Sequence, residues 1–377
     1  MAILAYHSRE YKKAYLCHIL ILMTYMSDDF KHDISRSEDR DPTARSRKRD
    51  HIELAFQSQV AGADLDARFF YEPLLSGHPE EGSFPTTSFL GGSLRLPVWV
   101  SSMTGGTEWA RTINHNLARA CGEFGMGMGL GSCRSLLYSD DTLDDFSVRS
   151  LMGDQPLFAN LGIAQIEELL AGGAQARIGE LVRKLEADGL IIHVNPLQEW
   201  LQPEGDRFRV APLDTIRRVI DHFPDLKLIV KEVGQGMGRA SLEALLSLPL
   251  EAVDFAANGG TNFARLELLR SDVAKQTIYK ELALVGHSAL EMVGMVNQLV
   301  AEKGDDLACR QVIISGGVKT FLDGYYLIHS SRLTAIYGQA SAFLKHARGE
   351  YEELAEYVRA QQEGLELAHA FLRPRSL

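Results

Sequence analysis

The sequence predicts a single (β/α)8 barrel, on three observations. From Leu96 onward, short apolar runs recur along the chain, most of them apolar continuously rather than in alternation. Each run ends in Gly, Ser, Asn or His and gives way to a helical pattern. There are eight such units, and their order is strand then helix throughout. Continuous apolar runs suit parallel strands buried on both faces, and eight strand–helix units close into a barrel more readily than they extend an open sheet.

In order, the runs are Pro97–Ser101, Met126–Leu130, Pro156–Ala159, Leu190–Val194, Leu226–Val230, Ala252–Phe255, Gln311–Ile314 and Leu333–Tyr337. Amphipathic stretches between them, at Ile166–Leu170, Arg177–Asp188, Leu213–His222 and Ser241–Leu248, predict helices from their spacing. The connection from Asn258 to Arg310 is long enough for two helical segments. Tyr351–Leu372 mixes Glu, Arg and Gln with Leu, Ala and Val and predicts a covering helix after the last strand. No repeat or low-complexity linker interrupts this pattern, so residues 47–377 are expected to form one domain. Residues 1–46 are expected to be a mobile arm or, in part, a mis-called extension with the true start at Met26. The apolar run Ala14–Tyr25 is too short to span a bilayer, no small-residue cleavage site follows it, and residues 27–46 are polar without periodicity.

The chain has 377 residues, 45% of them hydrophobic and 24% charged, with a formal net charge of −11. That balance argues against a nucleic-acid binder, whose surface would be basic. It leaves room for an anionic small molecule, because local cations outweigh a distant negative surface. Cys17, Cys121, Cys133 and Cys309 are scattered without zinc or CxxC spacing, which reads as a reduced, cytoplasmic protein with no membrane partner.

Barrel chemistry sits at the C-terminal ends of the strands. Here those tails are Ser101–Gly106, Gly129–Arg134, Asn160–Gly162, His193–Glu199, Lys231–Gly234, Asn258–Asn262, Ser315–Lys319 and Tyr337–Ala340, all rich in Gly or small polar residues. A structural barrel needs only a few turn glycines there, so the convergence points to a bound cofactor with a phosphate and a polar ring edge. Gly316-Gly317 after the seventh strand suits a phosphate held by backbone amides, and Gly259-Gly260-Thr261 adds amides and a hydroxyl. As plain structure, either glycine pair is an ordinary turn. Lys231 ends an apolar strand with no evident carboxylate partner, since Glu232 faces the other way, and an ammonium there suits an electron-rich ring edge. His193, Asn195, Gln198 and Glu199 crowd one strand end braced by Pro196 and Pro203; a carboxylate beside an anion calls for Mg²⁺, which makes Glu199 the candidate ligand. Arg45–His51 is by composition a solvated charge run. Arg47 and Lys48 acquire a role only if the arm closes over the barrel mouth and grips phosphate.

These residues resemble a family. The stretches Arg47-Lys48-x-Asp50-His51, SSMTGGT (101–107), GLGSCR (129–134), ANLG (159–162), HVNPLQE (193–199), QPEGD (202–206), VKEVGQG (230–236), GGTNF (259–263) and SGGVK (315–319) are similar in order and spacing to type 2 isopentenyl diphosphate isomerases. The resemblance runs from Arg47 to Leu372. It implies FMN contacts from Ser102, Met103, Thr104, Ser132, Asn160, Lys231, Thr261, Gly316, Gly317, Gly338, Ala340 and Ser341. It also implies substrate contacts from Arg47, Lys48, His51, Ser132, Arg134, His193, Asn195 and Gln198, with Mg²⁺ on Glu199. No side chain is then the catalytic acid or base, because reduced FMN shuttles the proton between isopentenyl and dimethylallyl diphosphate, and NADPH is only a priming reductant. A homo-oligomer of four or eight copies is implied as well. The chain departs from the family pattern at Lys319, Phe321, Ser330-Ser331, Ala340-Ser341 and Val285–Ser288, which touches the phosphate end more than the substrate side.

Two other readings remain at this level. An FMN-dependent 2-hydroxy-acid oxidase would share barrel and phosphate loop, but would need a histidine base and an arginine clamp on the last strands, which are not evident. A degenerate scaffold barrel would have lost its polar strand ends, and these tails have not.

Overall fold

The computed structural model describes residues 43–102 and 109–375. The chain divides into two compact units, one ending at Ala67 and one beginning at Arg68. That division does not coincide with the boundary at residues 46 and 47 read from the sequence.

In the first unit, Ala44–Leu54 forms a helix and Gly62–Asp64 a single 3-10 turn. Residues 44–46, read as aperiodic, therefore belong to a helix. The segment contains no Gly or Pro, is built of strong helix formers, and carries an i,i+4 pair from Arg49 to Glu53 at 2.7 Å.

In the second unit all eight expected strands are present. They are β4 (Val98–Val100), β5 (Gly127–Gly129), β6 (Leu157–Gly162), β7 (Gly189–His193), β8 (Lys227–Lys231), β9 (Ala252–Asp254), β10 (Gln311–Ser315) and β11 (Thr334–Gln339). They pair in parallel and close in the order β10-β11-β4-β5-β6-β7-β8-β9, so the barrel is the (β/α)8 arrangement predicted. Three further strands of three residues each precede β4. β2 (Thr87–Phe89) and β3 (Gly92–Leu94) form a hairpin, and β1 (Phe69–Tyr71) pairs antiparallel with β12 (Leu372–Pro374). The covering helix is Tyr351–Phe371, close to its expected span. The long connection after β9 holds three helices rather than two, Phe263–Arg270, Val273–Tyr279 and Ala289–Lys303. The short middle one has no buried residue, so no apolar stripe marked it in the sequence.

The barrel interior explains where the functional side chains stand. Trp99, Phe158, Ile191, Ile229, Ala252, Ile313 and Ile336 form an inner cluster that also takes in Phe89, Leu90 and Leu94 of the hairpin. The hairpin therefore plugs the end at which the strands begin: the Leu90 amide donates to Gln311 Oε1 at 2.8 Å and Lys227 Nζ donates to Leu90 O at 3.3 Å. At Gly127 of β5 a Cβ would stand 2.5 Å from the Trp99 ring, so the indole occupies the volume this strand leaves empty.

Candidate active site

Side chains on a strand alternate between faces, so a residue two positions beyond an inward apolar one also points inward. Applied to the inner cluster, this rule yields Ser101, Gly129, Asn160, His193, Lys231, Asp254, Ser315 and Gly338, a polar layer directly above an apolar one. The glycine contacts agree. A Cβ on Gly338 would stand 2.7 Å from both Ser101 Oγ and Ser315 Cβ, and one on Gly129 would stand 2.9 Å from Ser102 Oγ.

Above this layer opens a cavity of about 410 Å³. Of the residues expected at the cofactor, Ser102, Lys231, Thr261, Gly316, Gly317, Gly338, Ala340 and Ser341 line it. Asn160 and Ser132 do not. Met103 and Thr104 lie outside the described residues. Gly316 is required by its surroundings: its φ is 89°, and a Cβ there would stand 2.0 Å from Ala257 O. The two glycine turns lie against each other, a Cβ on Gly260 coming within 3.2 Å of Gly317 N. The result is a cradle walled by backbone, which a phosphate can approach closely. Thr320 then caps the helix Phe321–Ser330 in a capping box with Asp323.

The sequence departures at this end find a physical account. Lys319 lines the cavity and keeps a cation at the glycine turn, although not a guanidinium. Phe321 packs away from it, its ring reaching the covering helix at Gly364, where a Cβ would be 2.7 Å from the ring carbons. Lys345 also lines the cavity and escaped the sequence reading. It stands four residues beyond Ser341 on the helix Ser341–Ala347, and that spacing was the signal available.

Lys231 is 8% exposed, and its Nζ donates to Glu232 O at 2.7 Å. The Glu232 carboxylate is committed elsewhere, accepting from the amides of Gly234, Gln235 and Gly236 at 2.7, 2.6 and 3.0 Å. Lys231 does have an acidic neighbour that the sequence reading missed. Asp254 stands beside it in register on β9, fully buried, with its carboxyl raised by burial and drawn back down chiefly by the Lys231 charge. The signal was a carboxylate inside an otherwise apolar strand end.

On the facing side, Asn160 Nδ2 donates to Leu130 O at 2.9 Å, which turns its Oδ1 toward His193 Nδ1 at 2.8 Å. That assigns the proton of a neutral His193 to Nδ1 and leaves a lone pair on Nε2. Burial, and after it the Lys231 charge, lower the imidazole to about 3. Asn195 is 2% exposed; its Nδ2 donates to Gln198 Oε1 and Glu199 Oε1, both at 3.0 Å, and its Oδ1 has no partner. Glu199 Oε2 accepts from the Asp206 amide at 2.7 Å. The Asp206 carboxylate accepts from Arg134 at 3.0 Å and from Gln165 at 2.9 Å. The QPEGD stretch thus folds back and ties Glu199 to Arg134, a contact no local pattern announces. Ser132 is exposed, as are Arg47, Lys48 and His51 on the helix of the first unit.

No protein-family profile matches the chain. Curated relatives do. The isopentenyl-diphosphate delta-isomerase of Rickettsia rickettsii (strain Sheila Smith) is 35% identical over 336 residues, covering 88% of this chain and 94% of its own. That of Rickettsia felis is 34% identical over 335 residues, covering 88% and 93%. The chain belongs to the isopentenyl-diphosphate delta-isomerase family. Solved structures extend the likeness in fold alone. A flavocytochrome b2 mutant with benzoylformate superposes with a TM-score of 0.54 at 12% identity, over 81% of this chain and 76% of that one. A mandelate oxidase variant gives 0.50 at 14%, over 80% and 81%. A closed parallel barrel is the architecture of the type 2 branch of the family, in agreement with the resemblance carried by the motifs. No described helix is long and apolar enough to cross a membrane.

Proposed function

We propose that the chain isomerises isopentenyl diphosphate to dimethylallyl diphosphate with FMN bound in the cavity above the polar layer. The observation that carries this reading is the pairing of a backbone cradle, Gly259-Gly260 against Gly316-Gly317, with unpartnered buried polar atoms lining the same cavity, Ser101 Oγ and Ser102 Oγ. Buried polar atoms without partners are rare, and here they border a space that a polar ring edge fits. The flavocytochrome b2 and mandelate oxidase structures share the barrel and support the same cofactor class.

In this reading Lys319, Lys345 and the glycine amides hold the cofactor phosphate, and Lys231 presents its ammonium to the ring edge. Reduced FMN supplies the proton-transfer chemistry when bound. One proton is added to the terminal alkene carbon, and one is removed from the carbon adjoining the methylene that carries the diphosphate, so no net redox change occurs. NADPH serves only to prime the cofactor. Arg134 and the arm residues Arg47 and Lys48 hold the diphosphate, while His193, Asn195 and Gln198 line the substrate end. Glu199 suits Mg²⁺: it is 8% exposed, and among the described residues no Lys, Arg or His forms an ion pair with it. The described residues hold no cluster of three or more metal-ligating side chains. The ion would therefore rest on one carboxylate plus diphosphate oxygens and water, a common arrangement for Mg²⁺. The deciding experiment is product analysis after anaerobic incubation with isopentenyl diphosphate, FMN, Mg²⁺ and NADPH. Dimethylallyl diphosphate is expected, and its absence with FMN bound would refute the assignment.

A further inference from the structure

One buried group takes no part in the scheme above. Asp254 is the single carboxylate of the polar layer, and its exposure is zero. An ionised carboxylate in such a place is costly unless charge and hydrogen bonds compensate it. Its compensation is partial. The Ser315 hydroxyl donates to Oδ1, the Ala256 amide donates to the same oxygen at 3.3 Å, and Oδ2 has no partner. The cation within its layer is Lys231, which stands at the same level of the adjoining strand; the Glu232 carboxylate, which also feels that charge, is held by three backbone amides.

A second observation concerns the backbone that follows. Ala256 has a φ of 42°, a conformation that costs an L-residue roughly 1–2 kcal/mol. Such strain persists only where the surroundings over-determine it. Here they do, because the Ala256 amide donates to Ser315 Oγ at 2.9 Å as well as to Asp254. The next residue, Ala257, is the surface on which Gly316 sits, and its own amide donates to Ser315 O at 2.8 Å. The carboxylate therefore joins two ends of one cavity. Lys231 is on one side of it, and the Ser315–Gly317 turn is on the other.

We propose that Asp254 is a positioning residue of the flavin site: clamped by Ser315 and the Ala256 amide, its carboxylate orients the Lys231 ammonium at the ring end and seats the Ser315–Gly317 turn at the phosphate end, so that both engage one bound FMN. This rests on the flavin reading but not on the isomerase activity. The test uses the whole chain stripped of FMN and titrated with it, together with the midpoint potential of the bound flavin. Asp254→Asn keeps an acceptor for Ser315 and removes the charge that orients Lys231, so the potential should fall as the reduced anion loses the aligned ammonium. In a Lys231→Met background the same change should move the potential far less, because no ammonium is left to orient. Asp254→Ala removes charge and clamp together and should raise the FMN Kd about tenfold or more, which corresponds to about 1.4 kcal/mol. Melting of the apo forms separates a site effect from unfolding, and if the alanine variant does not fold the potential of Asp254→Asn decides. A parental or raised potential in Asp254→Asn, or an equal shift with and without Lys231, would overturn the proposal while leaving FMN in the site. A parent chain that takes up no FMN would overturn the flavin reading itself, and this proposal with it.

Discussion

Gly316→Ala tests the backbone cradle at its tightest point. A Cβ at this position would stand 2.0 Å from Ala257 O, 2.3 Å from Ala257 N and 2.6 Å from Ala257 C, all backbone atoms that no rotamer change can move. Ordinary contact begins at 3.4 Å, so turn and strand tail must part by about 1.4 Å, the difference between that distance and 2.0 Å. The φ of 89° adds roughly 1–2 kcal/mol for an alanine. An amide moved more than about 1 Å leaves hydrogen-bonding range. Each charge-assisted bond from an amide to phosphate contributes roughly 1.5–3 kcal/mol. Losing two of them should weaken FMN binding by about two to four decades. The assay is flavin fluorescence on titrating apo protein, with thermal melting beside it. Gly294→Ala is the control, since nothing lies within 4 Å of its Cβ and it sits inside the helix Ala289–Lys303. That variant should bind FMN as the parent does and gain about 0.5–1 kcal/mol of stability. A Gly316→Ala protein with parental FMN affinity would show that the phosphate is held elsewhere.

Three further outcomes are expected. Glu199→Gln keeps the shape and loses the charge, so the Mg²⁺ concentration needed for turnover should rise steeply while FMN binding stays put; identical metal titrations would remove Glu199 as a ligand. His193 falls to about 3 in the folded chain, from 6.5, so between those values the unfolded chain holds the extra proton. Its contribution to stability is therefore present above pH 6.5 and is lost on acidification, by up to roughly 1.4 kcal/mol per pH unit; urea melts of the parent and His193→Gln at pH 7 and 5 should differ in pH slope, and equal slopes would refute the buried neutral imidazole. Arg47→Ala with Lys48→Ala should raise KM for isopentenyl diphosphate by about one to two decades per residue and leave FMN affinity unchanged, whereas deleting residues 1–26 should be silent; equal kinetics for the two proteins would make the basic run merely solvated.

How much of this was legible in the sequence depends on the range of the interaction. The strand ends could be read because each barrel strand is apolar up to its mouth and polar beyond it, as Leu228–Val230 before Lys231 and Val312–Ile314 before Ser315 illustrate. The helix Ala44–Leu54 was not readable from periodicity, because its residues 46–54 are all exposed, although most of its residue types favour a helix. Phe89, Leu90 and Leu94 sit on a short hairpin and carry no local mark of their role. Their task as the floor of the barrel became visible once Gln311 and Lys227, far along the chain, were found bonded to Leu90.

By itself, then, the chain order determined the barrel, its polar strand tails and the glycine turns beside a cation, because strand periodicity and turn chemistry are local properties of a few residues. The tertiary structure alone decided which tails face one another. Asp254 beside Lys231, Arg134 held by Asp206, and Lys345 brought to the glycine turns are pairings made by barrel closure. Closure sets the stagger between strands and so the height at which each side chain meets its neighbour. Charges separated by tens of residues acquire their partners, and their cost of burial, only at that step.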